Sequence, residues 1–471
     1  MRSVCPSFHV HTRHPRAFLL LATAMLAAGS IGCSSDGPGT TEPVTARGEV
    51  TRSDANDANA IIVTNVGELL AALVPDNAGR KILVRAGTYD VMQRLVVPDG
   101  ATLAGEGEML LDDSGLPTGF AAGTRTTIRL TANISGDVLT LGNGASVRNI
   151  AVEDLPGRVG SVIAIDSRSA GDSVSATITE VEITNPNAHT IVLSGPSGCG
   201  VTVLTQNPHT GAAVSATMTR SLIHSPSTGT GCGVFAFNFA PLASLSVNLA
   251  DNVIGGGMIA NGGVSRPVSV HDSKTVVQSR GNLYRDDSPS ASACASNHLA
   301  WNLSGGSGVP APIQIGETSR NILQLHSQDD RIEGFARAIL ATAGRRFFAL
   351  PTAGPVTGNT LDLELIGATI STLSCGGASF VSDFRLAGAL VTNASVAPGD
   401  GNTMRAVFRN VTGSGTRSNT YGDVLGPTGP LSPSLQGTGN LLEFAGNPKS
   451  FEQTNRDIDP APPSTLFTGG K

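Results

Sequence analysis

The sequence predicts an all-β solenoid, in which the chain winds around an axis as stacked coils after one short helix. Three observations predict this fold class. Apolar-rich stretches of about five residues with a two-residue period follow one another through most of the chain. Turn signals such as Pro98-Asp99-Gly100 separate these stretches without intervening helices, as corners would. Glycine is frequent, at 57 of 471 residues, as expected for a chain with many tight corners.

The chain begins with a predicted signal peptide, residues 1–32. The apolar run 17–28 is too short to cross a bilayer comfortably. The positive charges that precede it are Arg2, Arg13 and Arg16. The segment therefore directs the protein out of the cytoplasm and is expected to be removed.

The end of this segment, Ser30-Ile31-Gly32-Cys33, resembles the lipobox of bacterial lipoproteins. Gly32 and Cys33 fit that motif, whereas Ser30 stands where leucine is usual. The resemblance implies that Cys33 is diacylated and becomes the new N-terminus, so that a lipid anchors the protein to a membrane without spanning it. The alternative is an ordinary secretory signal with a cysteine nearby.

Residues 33–60 are polar, contain proline and glycine, and show almost no apolar periodicity, so they predict a flexible tether. Ser34 follows the cysteine, which in Gram-negative lipoproteins favours the outer membrane. We therefore expect an outer-membrane lipoprotein whose folded domain lies in the periplasm or at the cell surface.

Composition narrows the possible partners. Hydrophobic residues make up 40% of the chain, enough for a continuous core, and only 14% of residues are charged. The net charge of −6 becomes −9 once the three arginines of the signal peptide are removed. An acidic chain of this kind has no electrostatic footprint for nucleic acid and does not attract a polyanionic glycan as a whole. Aromatic residues, at 4%, are too scarce for a groove built on many stacking rings.

The stretch 64–108 organises the predicted fold. Asn65 can cap a short helix, Glu68 can reach back as in a capping box, and Pro75 ends the helix early. One apolar stripe along this helix consists of Val66, Leu69, Leu70 and Leu73. The period then changes to two, and short strands alternate with corners rather than hairpin loops.

This succession resembles the entry coil of right-handed parallel β-helices of the pectin-lyase-like superfamily, in which a short amphipathic helix covers the open end. The resemblance implies a right-handed parallel β-helix over residues 61–445, followed by a loose proline- and glycine-rich tail over 446–471.

Internal repeats support stacking. The sequence 174–179 recurs as 214–219, and Gly358-Asn359-Thr360-Leu361 recurs as Gly401-Asn402-Thr403-Met404. Recurring strands at irregular spacing are typical of coils with variable corner loops. The alternative, an array of β-sandwiches, would need hairpins at regular Asn-Gly or Asp-Gly pairs, and such pairs are too few and too widely separated.

Four cysteines remain after Cys5 in the signal peptide and Cys33, and in an oxidising compartment they are expected to pair. They are Cys199, Cys232, Cys294 and Cys375. We prefer Cys199–Cys232 with Cys294–Cys375, because sequence neighbours tend to lie on adjacent coils, although three pairings are possible. None has a C-x-x-C spacing, which argues against a zinc site.

The catalytic candidates come from two polar clusters. Aligning residues 268–271 with 323–326 places two histidines in register on coils that would stack about 4.8 Å apart. One groove would then contain His271, Lys274, His326 and Asp330. A β-elimination lyase needs a base near the sugar C5 proton and a cation or Ca²⁺ on the carboxylate, and this set could supply both. A chance alignment is the alternative.

Hydrolases of the polygalacturonase type in that superfamily carry Asn-Thr-Asp, Asp-Asp, Gly-His-Gly and Arg-Ile-Lys, in that order. This chain has the pairs Asp286-Asp287 and Asp329-Asp330, but Glu333 replaces the lysine and two motifs are missing. Adjacent aspartates on a strand point to opposite faces, so they act together only in a bend. The alternative is a solvated corner in which Asp329 or Asp330 pairs with Arg331.

The sequence therefore predicts a cell-envelope-anchored β-helix protein with two candidate functions. The first is non-catalytic binding of a glycan or another envelope component. The second is polysaccharide cleavage by a lyase or a glycoside hydrolase. No cofactor is expected, apart from Ca²⁺ if the protein is a lyase.

Overall fold

A computed structural model describes the chain in segments. They are residues 59–185, 187, 190–192, 195–224, 232–265, 268–286, 299–308, 316–335, 337–346, 355–372, 380–385, 401–414, 418–420, 425–426, 429–430, 441–446, 453–455 and 465–469. They fall within one unit, Asp57–Lys471. The signal peptide, the lipobox and the tether up to residue 58 lie outside the described residues. No helix in the described part has the length and apolar character needed to cross a bilayer.

The predicted helix is present as α1 (Val66–Ala72), followed by a 3-10 turn (Pro75–Asn77). The Asn65 side chain accepts a hydrogen bond from the Glu68 amide at 3.0 Å, as an N-cap does. Glu68 reaches back one residue further than expected and accepts from the amide of Thr64 at 2.7 Å. Leu69 is fully buried, and the rest of the predicted apolar stripe packs against the same core.

Three columns of strands form the solenoid. The first column pairs one strand from each successive coil in parallel. Its strands are β1 (Ile61–Val63), β2 (Lys81–Val84), β5 (Thr102–Gly105), β10 (Ala145–Glu153), β12 (Ser173–Thr184), β16 (Ala213–Thr219), β19 (Ser244–Ala250), β24 (Lys274–Arg280), β28 (Ile322–Gln328), β32 (Thr360–Ile366), β35 (Thr403–Arg409), β40 (Leu441–Gly446) and β42 (Thr465–Gly469).

The second column continues each coil after a sharp corner, and the long strands β10 and β12 run through both columns. Its other strands are β3 (Gly87–Val91), β8 (Thr126–Leu130), β17 (Leu222–His224), β20 (Val253–Gly255), β25 (Leu283–Arg285), β29 (Arg331–Phe335), β33 (Thr369–Thr372) and β36 (Thr412–Ser414).

The third column closes the coils and is also parallel. Its strands are β4 (Leu95–Val97), β9 (Leu139–Leu141), β11 (Ile163–Asp166), β15 (Cys199–Thr205), β18 (Cys232–Asn238), β21 (Met258–Asn261), β22 (Val264–Ser265), β26 (Leu299–Gly308), β30 (Arg337–Arg346), β34 (Phe380–Arg385), β37 (Ser418–Thr420) and β41 (Gln453–Asn455).

Small pairings decorate the corners. A short parallel sheet contains β23 (Val270–His271), β27 (Thr318–Ser319) and β31 (Val356–Thr357). Three antiparallel hairpins are β6 (Met109–Leu111) with β7 (Pro117–Phe120), β13 (Thr190–Val192) with β14 (Gly195–Ser197), and β38 (Leu425–Gly426) with β39 (Gly429–Pro430).

The strand register confirms the predicted fold class, a parallel β-helix. Val174 pairs with Val214 and Thr179 with Thr219, so the repeat found in the sequence is a pair of stacked strands. Thr360 likewise pairs with Thr403 in the second repeat. Inward-facing side chains of all three columns form one core along the axis. Parallel pairing throughout the three columns rules out the β-sandwich alternative for the described residues.

Both corners that flank the first column use left-handed backbone conformations. The corner after it has positive φ at Asn149, Glu180, Arg220, Asp251, Gly281, Asp329, Gly367 and Asn410. The corner before it has positive φ at Gly171, Gly211, Leu242, Asp272, Arg320, Gly358 and Gly401, among others. Residues other than glycine, asparagine and aspartate rarely adopt this conformation, so Arg320 and Leu242 are held in it by their neighbours.

A buried residue with an amide side chain follows many of these corners and forms hydrogen bonds with a neighbouring coil. In one ladder, Asn252 Oδ1 accepts from the amide of Ser221 at 2.9 Å, and Asn282 Oδ1 accepts from the amide of Asn252 at 3.0 Å. In the other ladder, Asn359 Oδ1 accepts from the amide of Asn321, and Asn402 Oδ1 from that of Asn359. Each ladder satisfies backbone amides that the turn leaves without a strand partner.

Asp330 is the last polar rung of the first ladder and is fully buried. Its Oδ1 accepts from the amide of Asn282 at 2.8 Å, and its Oδ2 accepts from the hydroxyl of Ser327 at 2.6 Å. Burial raises the pKa of this carboxyl, and the hydrogen bonds from Ser327, Ser279 and Asn282 only partly oppose that rise.

One predicted disulfide is present. Cys199 and Cys232 are register partners on β15 and β18, with Cα atoms 4.6 Å apart. The bond joins adjacent coils, as the preferred pairing expected. Cys294 and Cys375 lie outside the described residues, so their pairing stays a prediction.

We predict that Asp330→Asn stabilises the protein relative to the native chain, and that this gain increases as the pH rises. An acid whose folded pKa is raised contributes stability below its unfolded pKa, and that contribution is lost as pH rises through the folded pKa. The asparagine keeps the acceptor for Asn282, carries no charge, and should gain about 1–3 kcal/mol relative to the native chain at pH 8. Chemical unfolding at pH 4 and pH 8 measures this.

The control is Asp329→Asn, one residue earlier at the exposed corner, where asparagine also tolerates positive φ. Because Asp329 is exposed, its replacement should change the pH dependence of stability less than the replacement of the buried Asp330 does. If Asp330→Asn had the same free energy of unfolding as the native chain at both pH values, ionisation of the buried carboxyl would cost no stability.

Candidate functional site

The outward face of the first column is the most regular polar surface of the described residues. Strands β12, β16, β19, β24, β28, β32 and β35 alternate between buried apolar or small residues and exposed residues. Because the strands are in register, their outward side chains form rows along the solenoid axis, about 4.8 Å from one coil to the next. We call this surface the polar face.

One row on the polar face changes its chemistry from coil to coil. Thr217, Asn248, Gln278, His326 and Glu364 are consecutive register partners. The row thus passes from a hydroxyl through two amides to an imidazole and a carboxylate, and every member can form hydrogen bonds.

His326 and Glu364 are in contact. Nδ1 of His326 lies 3.2 Å from Oε2 of Glu364, whose Oε1 lies 3.4 Å from the guanidinium of Arg409. The His326 side chain is 43% exposed and that of Glu364 is 28% exposed. The pair is therefore ordered by its partners and open to a ligand.

A shallow groove of about 270 Å³ runs over this part of the polar face. Its floor includes Asn248, Gln278, Arg280, His326 and Glu364. A second depression of about 230 Å³ lies near the beginning of β12, β16, β19 and β24, and its lining includes four serines, several apolar residues and Lys274.

The predicted common groove of four residues does not exist, and the alignment behind it is wrong. His271 pairs with Ser319, whereas His326 pairs with Gln278. His271 lies at the corner before β24, where its Nδ1 is 2.8 Å from Asp272 Oδ2. Four residues separate Lys274 from Gln278, or about 13 Å along the strand.

The two aspartates of the pair 329–330 lie in a bend, as cooperation would require, but they still face different environments. Asp329 has a φ of 56° and is exposed, while Asp330 is buried in the amide ladder. Asp330 therefore cannot reach a substrate on the surface, and the expected pairing with Arg331 in a solvated corner does not describe it. Asp286 is partly buried, and its amide donates to the carbonyl of Glu333 at 3.1 Å. Asp287 lies outside the described residues.

A second histidine–glutamate pair lies on the second column. His224 Nε2 is 2.9 Å from Oε1 of Glu182, which also lies 3.5 Å from Arg125. Burial works to raise the pKa of Glu182, but the hydrogen bond from His224 and the charge of Arg125 lower it overall. His224 bonds its glutamate through Nε2, whereas His326 bonds Glu364 through Nδ1, so the two histidines expose different ring nitrogens.

Aromatic side chains do not line the polar face among the described residues. Trp301 and Tyr284 are fully buried and meet edge to face, with centroids 5.2 Å apart. Phe235 and Phe237 stack at 3.8 Å within a separate buried cluster. No group of histidines, cysteines and carboxylates in the described part is arranged to hold a metal ion.

The sequence analysis named His326 but not its neighbours in the groove, Glu364, Gln278 and Arg280. The signal that would have found them is the corner itself. Aligning Arg320-Asn321, Gly358-Asn359 and Asp272-Ser273 brings the three strands into their true register. The alignment used instead matched apolar alternation, which fits any strand.

Comparisons with known proteins give a likeness of fold. No family model and no curated protein matches the chain. Solved structures similar to it include the catalytic unit of a thermostable GH87 α-1,3-glucanase from Streptomyces thermodiastaticus, at 12% identity and a TM-score of 0.32 over 88% of this chain and 70% of that one.

The Dettilon tailspike protein matches at 10% identity and a TM-score of 0.37 over 84% of this chain and 68% of that one. The surface protein and adhesin PfbA of Streptococcus pneumoniae matches at 11% identity and a TM-score of 0.26, over 83% and 99%. At these values the likeness carries no argument about function, and the fold rests on the strand pairings.

We predict that Asp272 stays ionised at a lower pH than an ordinary aspartate does. The hydrogen bonds from Arg320 and then His271 lower its pKa from 3.8 to about 2. Any stability that this carboxylate contributes is therefore present above its unfolded pKa and is lost only as pH falls towards 2. Arg320→Ala should raise the pKa of Asp272 towards the ordinary aspartate value of about 3.9, while the remaining hydrogen bond from His271 keeps it below that value.

Carbon-13 NMR titration of the aspartate carboxyls measures this shift. Arg220→Ala, at the corner on the other side of the first column, is the matched control and should leave Asp272 unchanged. An Asp272 that titrates normally in the native chain would contradict the ion pair.

Proposed function

We propose that the protein binds an extended polysaccharide along its polar face and is held in the cell envelope by a lipid on Cys33. The observation that supports binding is the row Asn248, Gln278, His326 and Glu364, whose members face solvent in register over a groove. A linear polymer laid along the axis would meet equivalent positions on successive coils.

The chemistry of the face favours a hydroxyl-rich ligand over an apolar one. Serines, threonines and amides dominate the first four strands of the polar face, and each can donate and accept hydrogen bonds. The absence of described aromatic platforms means that affinity would come from many hydrogen bonds of about 1 kcal/mol each. Such binding is expected to be modest and to increase with polymer length.

A second candidate is β-elimination of an acidic polysaccharide. One observation favours it: His326 can act as a base in the same groove as the exposed cation Arg280. Against it, the adjacent strand carries Asp362 and Glu364, which repel a polyanion. We therefore place binding first.

We predict that the double variant Asn248→Ala/Gln278→Ala binds polysaccharide at least about tenfold more weakly, because two hydrogen bonds lost on the face exceed 1.4 kcal/mol. Affinity electrophoresis of the full chain in gels containing xylan, glucomannan, polygalacturonate or alginate measures this. Absorbance of unsaturated sugars in the same incubations reports β-elimination.

The matched control is Thr369→Ala/Thr412→Ala, which removes two exposed, mutually bonded hydroxyls from the second column. It should bind like the native chain. Retardation by none of the polymers would overturn the proposed function, and equal loss in both variants would show that the polar face is not the binding surface.

A further inference from the structure

The contact between His326 and Glu364 leaves one imidazole nitrogen open to the groove. The Glu364 carboxylate can only accept a hydrogen bond when ionised, so the proton on the imidazole is placed at Nδ1, 3.2 Å from Oε2. Nε2 then carries the lone pair. No described residue hydrogen-bonds to Nε2, and the side chain is 43% exposed at the groove. A carboxylate that fixes the tautomer and orientation of a histidine is a recurring way to prepare it for proton transfer.

Hydrogen-bond donors lie beside this base. Gln278 is the register partner of His326, one coil away, and Arg280 follows on the same outward face of β24. Both line the groove with His326. None of the described residues forms an ion pair with Arg280, so its guanidinium is available to a ligand. An amide and a guanidinium next to a base can stabilise an oxygen that becomes negative during a reaction.

The carboxylates near His326 restrict the type of reaction and the type of substrate that suit the groove. Glycoside hydrolysis needs two carboxyl groups that act on the substrate, but both oxygens of Glu364 are engaged by His326 and Arg409. Asp362 accepts from Gln324 at 3.4 Å. The same acidic strand, in a chain of net charge −6, disfavours a substrate with a carboxylate on every sugar. A neutral polymer bearing neutral, base-labile groups avoids both conflicts.

We propose that His326 activates water to hydrolyse acyl esters carried by a neutral polysaccharide, an inference that rests on the proposed function. Nε2 takes a proton from water as the water oxygen bonds to the ester carbonyl carbon. The carbonyl oxygen becomes negative beside Gln278 and Arg280. The bond from the acyl carbon to the sugar oxygen then breaks, and that oxygen takes the proton from Nε2. One water is consumed, and the products are a free hydroxyl and a carboxylic acid.

In this scheme His326 is the catalytic residue and Glu364 is a positioning residue. The chain supplies a matched control in His224, which is similarly exposed, at 40%, and also bonds a glutamate. His224 uses Nε2 for that bond and lies on the second column, away from the groove. His326→Gln and His224→Gln thus remove the same side chain from two pairs of opposite orientation.

The experiment uses the full chain with acetylated xylan and acetylated glucomannan, and measures acetate release. We expect release by the native chain, a loss of at least about 100-fold in His326→Gln, and no change in His224→Gln. Glu364→Gln should lower kcat with little change in KM. Melting curves establish that each variant is folded.

Other outcomes separate this inference from the proposed function. Retention of the acetylated polymers without acetate release would overturn ester hydrolysis and leave binding intact. Release that survives His326→Gln, or falls equally in His224→Gln, would overturn the role of His326. Unsaturated products from polygalacturonate or alginate would overturn ester hydrolysis in favour of β-elimination. Failure to bind any polymer, acetylated or chemically deacetylated, would overturn the proposed function itself.

Discussion

Backbone amides at the corners are the constraint on which this fold depends. Each coil must turn sharply between strands, and a sharp turn leaves amides facing the interior without a strand partner. The chain meets this need with a left-handed residue followed by a buried Asn, Asp or Ser that bonds the next coil, as at Gly281-Asn282 and Gly358-Asn359. The two ladders therefore fix where each strand begins and which residue of the next coil it opposes.

Register in turn determines the surface. Once Asn282 bonds Asp330 and Asn321 bonds Asn359, the strands between those corners have no freedom to slip, since a slip of one residue would exchange inside for outside. His326 meets Glu364 for this reason alone. Glycines in the third column allow it to pack closely against the first column. A Cβ on Gly305 would lie 2.5 Å from the carbonyl oxygen of Thr360, so only glycine lets the third column come this close to the first.

The fold was predictable from sequence because its signals are local and repeated. Two-residue periodicity, glycine corners and the repeat at 174 and 214 each follow from strand geometry, and the capped helix at Asn65 follows from backbone chemistry. The site was less predictable because it depends on which residues of distant coils are neighbours. His326 and Glu364 are 38 residues apart, and only the corner asparagines reveal that spacing. Asp330 was misassigned because an aspartate in a ladder of asparagines has the same appearance in sequence as a surface acid.

The order in which the coils stack along the axis has a consequence for how the chain could fold. Each first-column strand between the two ends pairs with the strand of the coil before it and the strand of the coil after it, and the pairing of β1 with β2 comes first in both sequence and space. A chain that is made N-terminus first delivers its coils in the order in which they stack. The helix α1 would cover the first coil early, and each later coil would find a finished template. Assembly would then follow the order of the sequence, one coil at a time.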